Sequence, residues 1–125
     1  MNTTYLFVGL GGALGAIARV ALGGILPSFI LSIPFKILFV NVFGCLVLGI
    51  VTEIMAVHWN ASINIRHFLI QGFLGGFTTF SAFSLEFGLL YEKGMVPIAI
   101  VYAALSVGLS IAFFFGGLKI IRFFL

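Results

Sequence analysis

The chain has few charges and almost nothing from which a chemical centre could be built. Three acids (Glu53, Glu86, Glu92) and six bases (Arg19, Lys36, Arg66, Lys93, Lys119, Arg122) are all that 125 residues contain. Seven per cent charged and 62% hydrophobic stands far from the roughly 25% charged residues of a soluble domain. A chain this short cannot hide so much apolar surface, so a soluble globular protein is excluded. A single cysteine, Cys45, lies in an apolar run and excludes both an internal disulfide framework and a cysteine-based metal cluster. His58 and His67 flank a loop without metal-ligand spacing. No nucleophile–base arrangement, phosphate-binding loop or redox motif occurs, which argues against an enzyme. The net charge of +3 is ordinary for a membrane protein and carries no nucleic-acid signal. The start, Met-Asn-Thr-Thr-Tyr, lacks the basic segment of a signal peptide, and the apolar stretch after it outruns signal-peptide length; it is expected to stay in the mature protein.

What is present divides into four apolar spans. A membrane-crossing helix needs about 20 residues, and charges and turn residues mark spans of about 5–24, 34–57, 66–91 and 95–118. Gly23, Gly24, Pro27 and Ser28 form the first loop, the polar run from His58 to Asn64 the second, and Glu92-Lys93-Gly94 the third. Pro34 suits the first turn of the second span. The four passes consume nearly the whole chain, so the expectation is one all-α transmembrane domain, a small helical bundle. Tyr5, Trp59 and Tyr91 fall at span ends and suit the membrane interface.

Small residues recur at helix-contact spacing: Gly11 with Gly15, Gly72 with Gly76, and Gly108 with Ala112 and Gly116. Such rows allow close backbone approach in lipid and read as packing faces. Lys and Arg are almost evenly shared between the two ends. Arg66, Lys119 and Arg122 stand on one side, and Lys36, Lys93 and a snorkelling Arg19 on the other. The bias that fixes orientation is nearly absent, so insertion in both directions and antiparallel pairing are expected.

The third span is unusual. Residues 72–86 read Gly-Phe-Leu-Gly-Gly-Phe-Thr-Thr-Phe-Ser-Ala-Phe-Ser-Leu-Glu. Gly75 and Gly76 weaken a helix by about 1 kcal/mol each against Ala, and so favour a break there, where hydroxyls and aromatic rings concentrate. Non-helical backbone at membrane depth survives only when protein or a water-filled cavity covers it. Phe80 and Phe83, three apart, project to nearly one face, with Ser81 and Ser84 beside them. The positive edge of an aromatic ring can line an anion path without the grip of a full charge, although core packing is the ordinary role of a phenylalanine. Asn41 offers amide donors to an anion or serves as interhelical glue. Ser106 and Ser110 extend a hydroxyl row or bond back to their own helix. Tyr102 places another hydroxyl in the same span. Glu86 is an intramembrane acid, and such residues mark functional sites; Arg19 lies deep and can snorkel.

Three stretches together resemble one family: Gly11-Gly12-Ala13-Leu14-Gly15-Ala16-Ile17-Ala18-Arg19, Asn41-Val42-Phe43-Gly44, and Gly75-Gly76-Phe77-Thr78-Thr79-Phe80-Ser81-Ala82-Phe83-Ser84. They are similar to the signature of the Fluc (CrcB) fluoride channels, in motif order, span count and length. The resemblance implies an antiparallel, dual-topology homodimer in the bacterial inner membrane, with two pores that export fluoride passively. By motif position, Phe80 and Phe83 are the implied ring-edge fluoride contacts, Asn41 a pore amide, and Ser110 part of a polar track. Ser81, Ser84 and Tyr102 are counted with this pore set, and Arg19 and Glu86 with its vestibule. The backbone carbonyls of Gly75 and Thr78 are the implied ligands of a structural sodium ion at the dimer centre. Ala82 departs from the family, which usually carries Thr there. Two other readings stand beside this one. A small multidrug-type exporter is also four-span and can be dual-topology, but needs a carboxylate in its first span, which this chain lacks. One subunit of a heterodimeric channel is the other.

Overall fold

A computed structural model describes residues 2–125. Four helices are long and apolar enough to cross a membrane, Asn2–Ile25, Phe35–His58, Ile63–Glu92 and Val96–Phe124, so the chain is a multi-pass membrane protein. At about 1.5 Å per residue, even the 24-residue ones exceed the ~30 Å hydrocarbon layer.

Helix α1 is Asn2–Ile25. The first loop is more regular than its glycines suggest: β1 (Phe29–Ile30) pairs antiparallel with β2 (Ile33–Pro34). Leu31 and Ser32 turn the hairpin with φ of 53° and 68°, the left-handed values that a two-residue hairpin turn demands. Helix α2, Phe35–Glu53, starts directly after Pro34 and continues as a π-helical turn, Ile54–His58. The third span opens with α3 (Ile63–Arg66), capped by the Ser62 hydroxyl, and continues as π-helix over His67–Leu74. Helix α4 (Gly75–Phe77) follows and, after Thr78 and Thr79, α5 (Phe80–Glu92). Helix α6, Val96–Phe124, runs past the Leu118 expected for its end.

Close packing comes from glycine. A methyl group on Gly15 would strike the Phe73 carbonyl, and one on Gly76 would meet the Gly12 backbone. Helix α1 therefore lies against the first half of the third span at a distance that only glycine permits. Helices α2 and α6 form the second tight pair, where a methyl on Gly49 would meet the Phe114 carbonyl and one on Gly117 the Leu46 carbonyl. The third small-residue row reads differently in the structure. Gly108 and Gly116 face open space and Ala112 is exposed, so that row is not a packing face within the chain; Gly117 takes its place.

Two ends are fixed by polar contacts. The Thr4 hydroxyl donates to Asn64 Oδ1 at 3.2 Å, and Arg122 Nε donates to Glu53 Oε1 at 2.9 Å. Both termini and the 58–65 loop thus sit together. Leu38, Phe83, Leu90, Ala99 and Tyr102 form the buried core between α2, α5 and α6. Leu6, Leu10, Leu14, Ile17 and Val20 of α1 are exposed.

Candidate functional site

The site begins with two extended residues. Thr78 (φ −82°, ψ 153°) and Thr79 (φ −152°, ψ 119°) stand between helical Phe77 and Phe80. Gly75, by contrast, is helical at φ −64°, ψ −35°, so the extended backbone lies beyond the glycine pair. Asn41 holds it there. Its Nδ2 donates to the Thr79 carbonyl at 2.9 Å, and its Oδ1 accepts from the Thr79 N–H at 2.7 Å. One side chain thereby satisfies both backbone groups of a residue that has left the helix. The Thr79 hydroxyl accepts from Ala82 N–H at 3.1 Å and caps α5, satisfying a donor that has no intrahelical partner.

The freed carbonyls are only partly used. Gly76 accepts from Arg19 Nε at 3.3 Å, and Leu74 accepts from both Thr78 N–H (3.0 Å) and Thr78 Oγ1 (2.9 Å). Among the described residues, nothing donates to the Gly75 or Thr78 carbonyl.

Beside the extended pair lies a groove of about 260 Å³. Asn41, Thr79, Phe80, Phe83, Ser106 and Ser110 line it, with Cys45 and the apolar Val107 and Ile111; no charged side chain does. The Phe80 and Phe83 ring centroids are 5.3 Å apart, but their surroundings differ. Phe80 is 74% exposed, while Phe83 is 9% exposed and belongs to the core. Tyr102 stacks on Phe83 with centroids 5.2 Å apart. Its hydroxyl and that of Ser106, one helical turn on, are buried and have no hydrogen-bond partner among the described residues. Orphaned buried hydroxyls are costly; of the two, Ser106 lines the groove.

The remaining sequence-derived residues are spread around this groove. Ser110 lines it. Ser81 is exposed and its hydroxyl lies 3.1 Å from that of Thr79. Ser84 is outside the groove, in a separate depression with Leu85, Phe87 and Gly88. Arg19 lines a depression of about 370 Å³ together with Gly23, Gly24 and Lys36. Glu86 lines another of about 240 Å³ with Ser28 and, again, Lys36. Sequence reasoning gave no part to Cys45, to the Thr79 backbone or to Lys36. Cys45 follows Asn41 by four residues, so helical spacing could have put it on the same face. Nothing local points to Thr79, whose partner is 38 residues away.

The comparisons with known proteins agree on one family. The family described as CrcB-like protein, Camphor Resistance (CrcB), matches residues 6–118. A Rhizobium etli (strain CFN 42) protein named fluoride-specific ion channel FluC is 47% identical over 122 residues, covering 94% of each chain. The Rhodopseudomonas palustris (strain BisB5) protein of the same name is 45% identical over 120 residues, covering 95% of this chain and 97% of its own. A Cereibacter sphaeroides protein, also so named, is 42% identical over 123 residues.

Proposed function

The chain belongs to the CrcB family, and on that premise we propose that it is a fluoride-specific ion channel of the bacterial inner membrane, working as an antiparallel homodimer. One observation carries the reading: the groove beside Thr79 is lined by the Phe80 and Phe83 rings, an amide and hydroxyls, and by no charged side chain. Fluoride is a small anion that accepts hydrogen bonds strongly. The Ser106 and Ser110 hydroxyls line the groove and can donate into it, and Asn41 has one amide proton left after serving Thr79. Ring edges of Phe80 and Phe83 add weak positive potential. Such a lining stabilises an anion enough to let it in and too weakly to trap it, as conduction requires.

The dimer follows from what one copy leaves open. Phe80 is 74% exposed and Gly75 is exposed. In lipid, polar backbone with no cover costs several kcal/mol per group. A second copy placed antiparallel covers this face, and the even division of Lys and Arg permits both orientations. Two copies give two grooves and hence two pores. Flux follows the fluoride gradient and is export whenever the cytoplasm holds the higher concentration.

The free Gly75 and Thr78 carbonyls fit a hard cation, which prefers oxygen ligands. Two copies would offer four oxygens to a structural sodium ion, whose charge would hold the two extended segments together. The Thr78 hydroxyl gives its proton to the Leu74 carbonyl, and the proposed Thr78 ligand is the backbone oxygen.

A proton-coupled exporter is poorly supported, because α1 contains no acid and Glu53 is paired with Arg122. Purified protein in liposomes loaded with fluoride or chloride tests the proposal. Fluoride is expected to escape and chloride to stay. Absence of fluoride flux from liposomes holding this chain alone would refute the homodimeric channel. Replacing sodium with a bulky organic cation is expected to lower flux or dissociate the dimer, and full activity without sodium would remove the ion from the scheme.

A further inference from the structure

We propose that Lys36 sets the rate of ion capture: with Arg19 it makes a two-cation mouth that gathers anions and offsets Glu86. This rests on the fluoride-channel reading above. Lys36 is the one charged side chain that lines both depressions at the hairpin end, sharing one with Arg19 and the other with Glu86. It forms no ion pair, although Glu86 faces the same space; among the described residues the only pair is Glu53–Arg122. Its stem passes Gly23, where a methyl group would lie 3.8 Å from Cδ. The side chain is therefore neither locked to a partner nor fully released into solvent.

Helix stability does not explain a lysine here. Lys36 is in the first turn of α2, where the helix dipole disfavours a cation. The dipole and the lysine instead add positive potential at one place, which attracts anions. The mouth and the groove both touch α5. Glu86 follows Phe83 by one turn of α5, and Phe83 lines the groove. An anion leaving the groove along α5 passes a carboxylate, and without Lys36 the charges of Arg19 and Glu86 would cancel. With Lys36 the mouth carries one net positive charge.

A unit charge roughly 10 Å from the path in water changes the local anion concentration about twofold. Fluoride efflux from liposomes in about 10 mM of an impermeant salt, where screening acts over about 30 Å, is therefore expected to fall about twofold in Lys36→Gln and about fourfold in Lys36→Glu. Lys36→Arg should match the wild type. In about 1 M salt, where screening acts over about 3 Å, all four proteins should converge, with fluoride-over-chloride selectivity unchanged throughout. Equal flux for Lys36→Glu and wild type at low salt, or a deficit that persists at high salt, would overturn the role of Lys36. Loss of fluoride flux in the wild type itself would overturn the channel reading instead.

Discussion

Replacing Asn41 with alanine tests whether one amide holds the extended backbone in the third span. The change removes the 2.9 Å donor to the Thr79 carbonyl and the 2.7 Å acceptor for its N–H together. The Thr79 N–H is then left without a partner in a membrane interior, while its carbonyl, as the N-cap of α5, still accepts the first intrahelical bond. An orphaned buried group costs about 1–3 kcal/mol, a sizeable part of a small domain's stability of about 5–15 kcal/mol. Two further variants separate backbone support from anion contact. Asn41→Asp keeps an acceptor for the N–H but loses the donor and adds a negative charge to the groove. It is expected to abolish fluoride flux while costing less stability than alanine. Thr79→Ala keeps the Asn41 clamp and loses the cap on Ala82, a change of about 1 kcal/mol, together with the exposed contact to the Ser81 hydroxyl. Thermal unfolding in detergent and fluoride efflux from liposomes read the two effects. Asn41→Ala with wild-type thermal stability would refute the clamp.

Phe80→Ile and Phe83→Ile should both cut fluoride flux, since an aliphatic side chain has no positive edge. Only Phe83→Ile should also lower the melting temperature, by loss of the Tyr102 stack, worth about 1 kcal/mol beyond burial. Wild-type flux in both would reduce the rings to packing. Gly15→Ala and Gly49→Ala drive a methyl into a facing carbonyl and should cost about 1–3 kcal/mol each, whereas Gly108→Ala, with nothing near it, should be neutral or stabilising; equal melting temperatures would contradict the packing described. Arg122→Gln strands the buried Glu53 carboxylate and should destabilise more than Glu53→Gln, which leaves the already exposed Arg122 in solvent; thermal unfolding of the two variants decides the order.

The four apolar spans, the glycine faces of α1 and of the third span, and the segment where rings and hydroxyls concentrate were legible in the residues. Each depends on local quantities: hydropathy over a helix length, small residues one turn apart, and a concentration of rings and hydroxyls in one segment. The place where the backbone extends was not legible. Gly75 and Gly76 are the weakest helix formers in that stretch, yet helix continues through them because they let α1 approach, as the contact of Gly76 with Gly12 shows. The chain instead extends at Thr78 and Thr79, where Asn41 on another helix bonds both backbone groups of Thr79 and replaces the helical bond its N–H has lost. The same holds for the ends and the mouth. Glu53 and Arg122 are 69 residues apart, and Lys36 gains a role only by lying between Arg19 and Glu86. Propensity and hydropathy act within a turn or a span, so the sequence by itself determined the spans; which polar groups meet across the bundle depends on how the helices pack, and only the tertiary structure decided that.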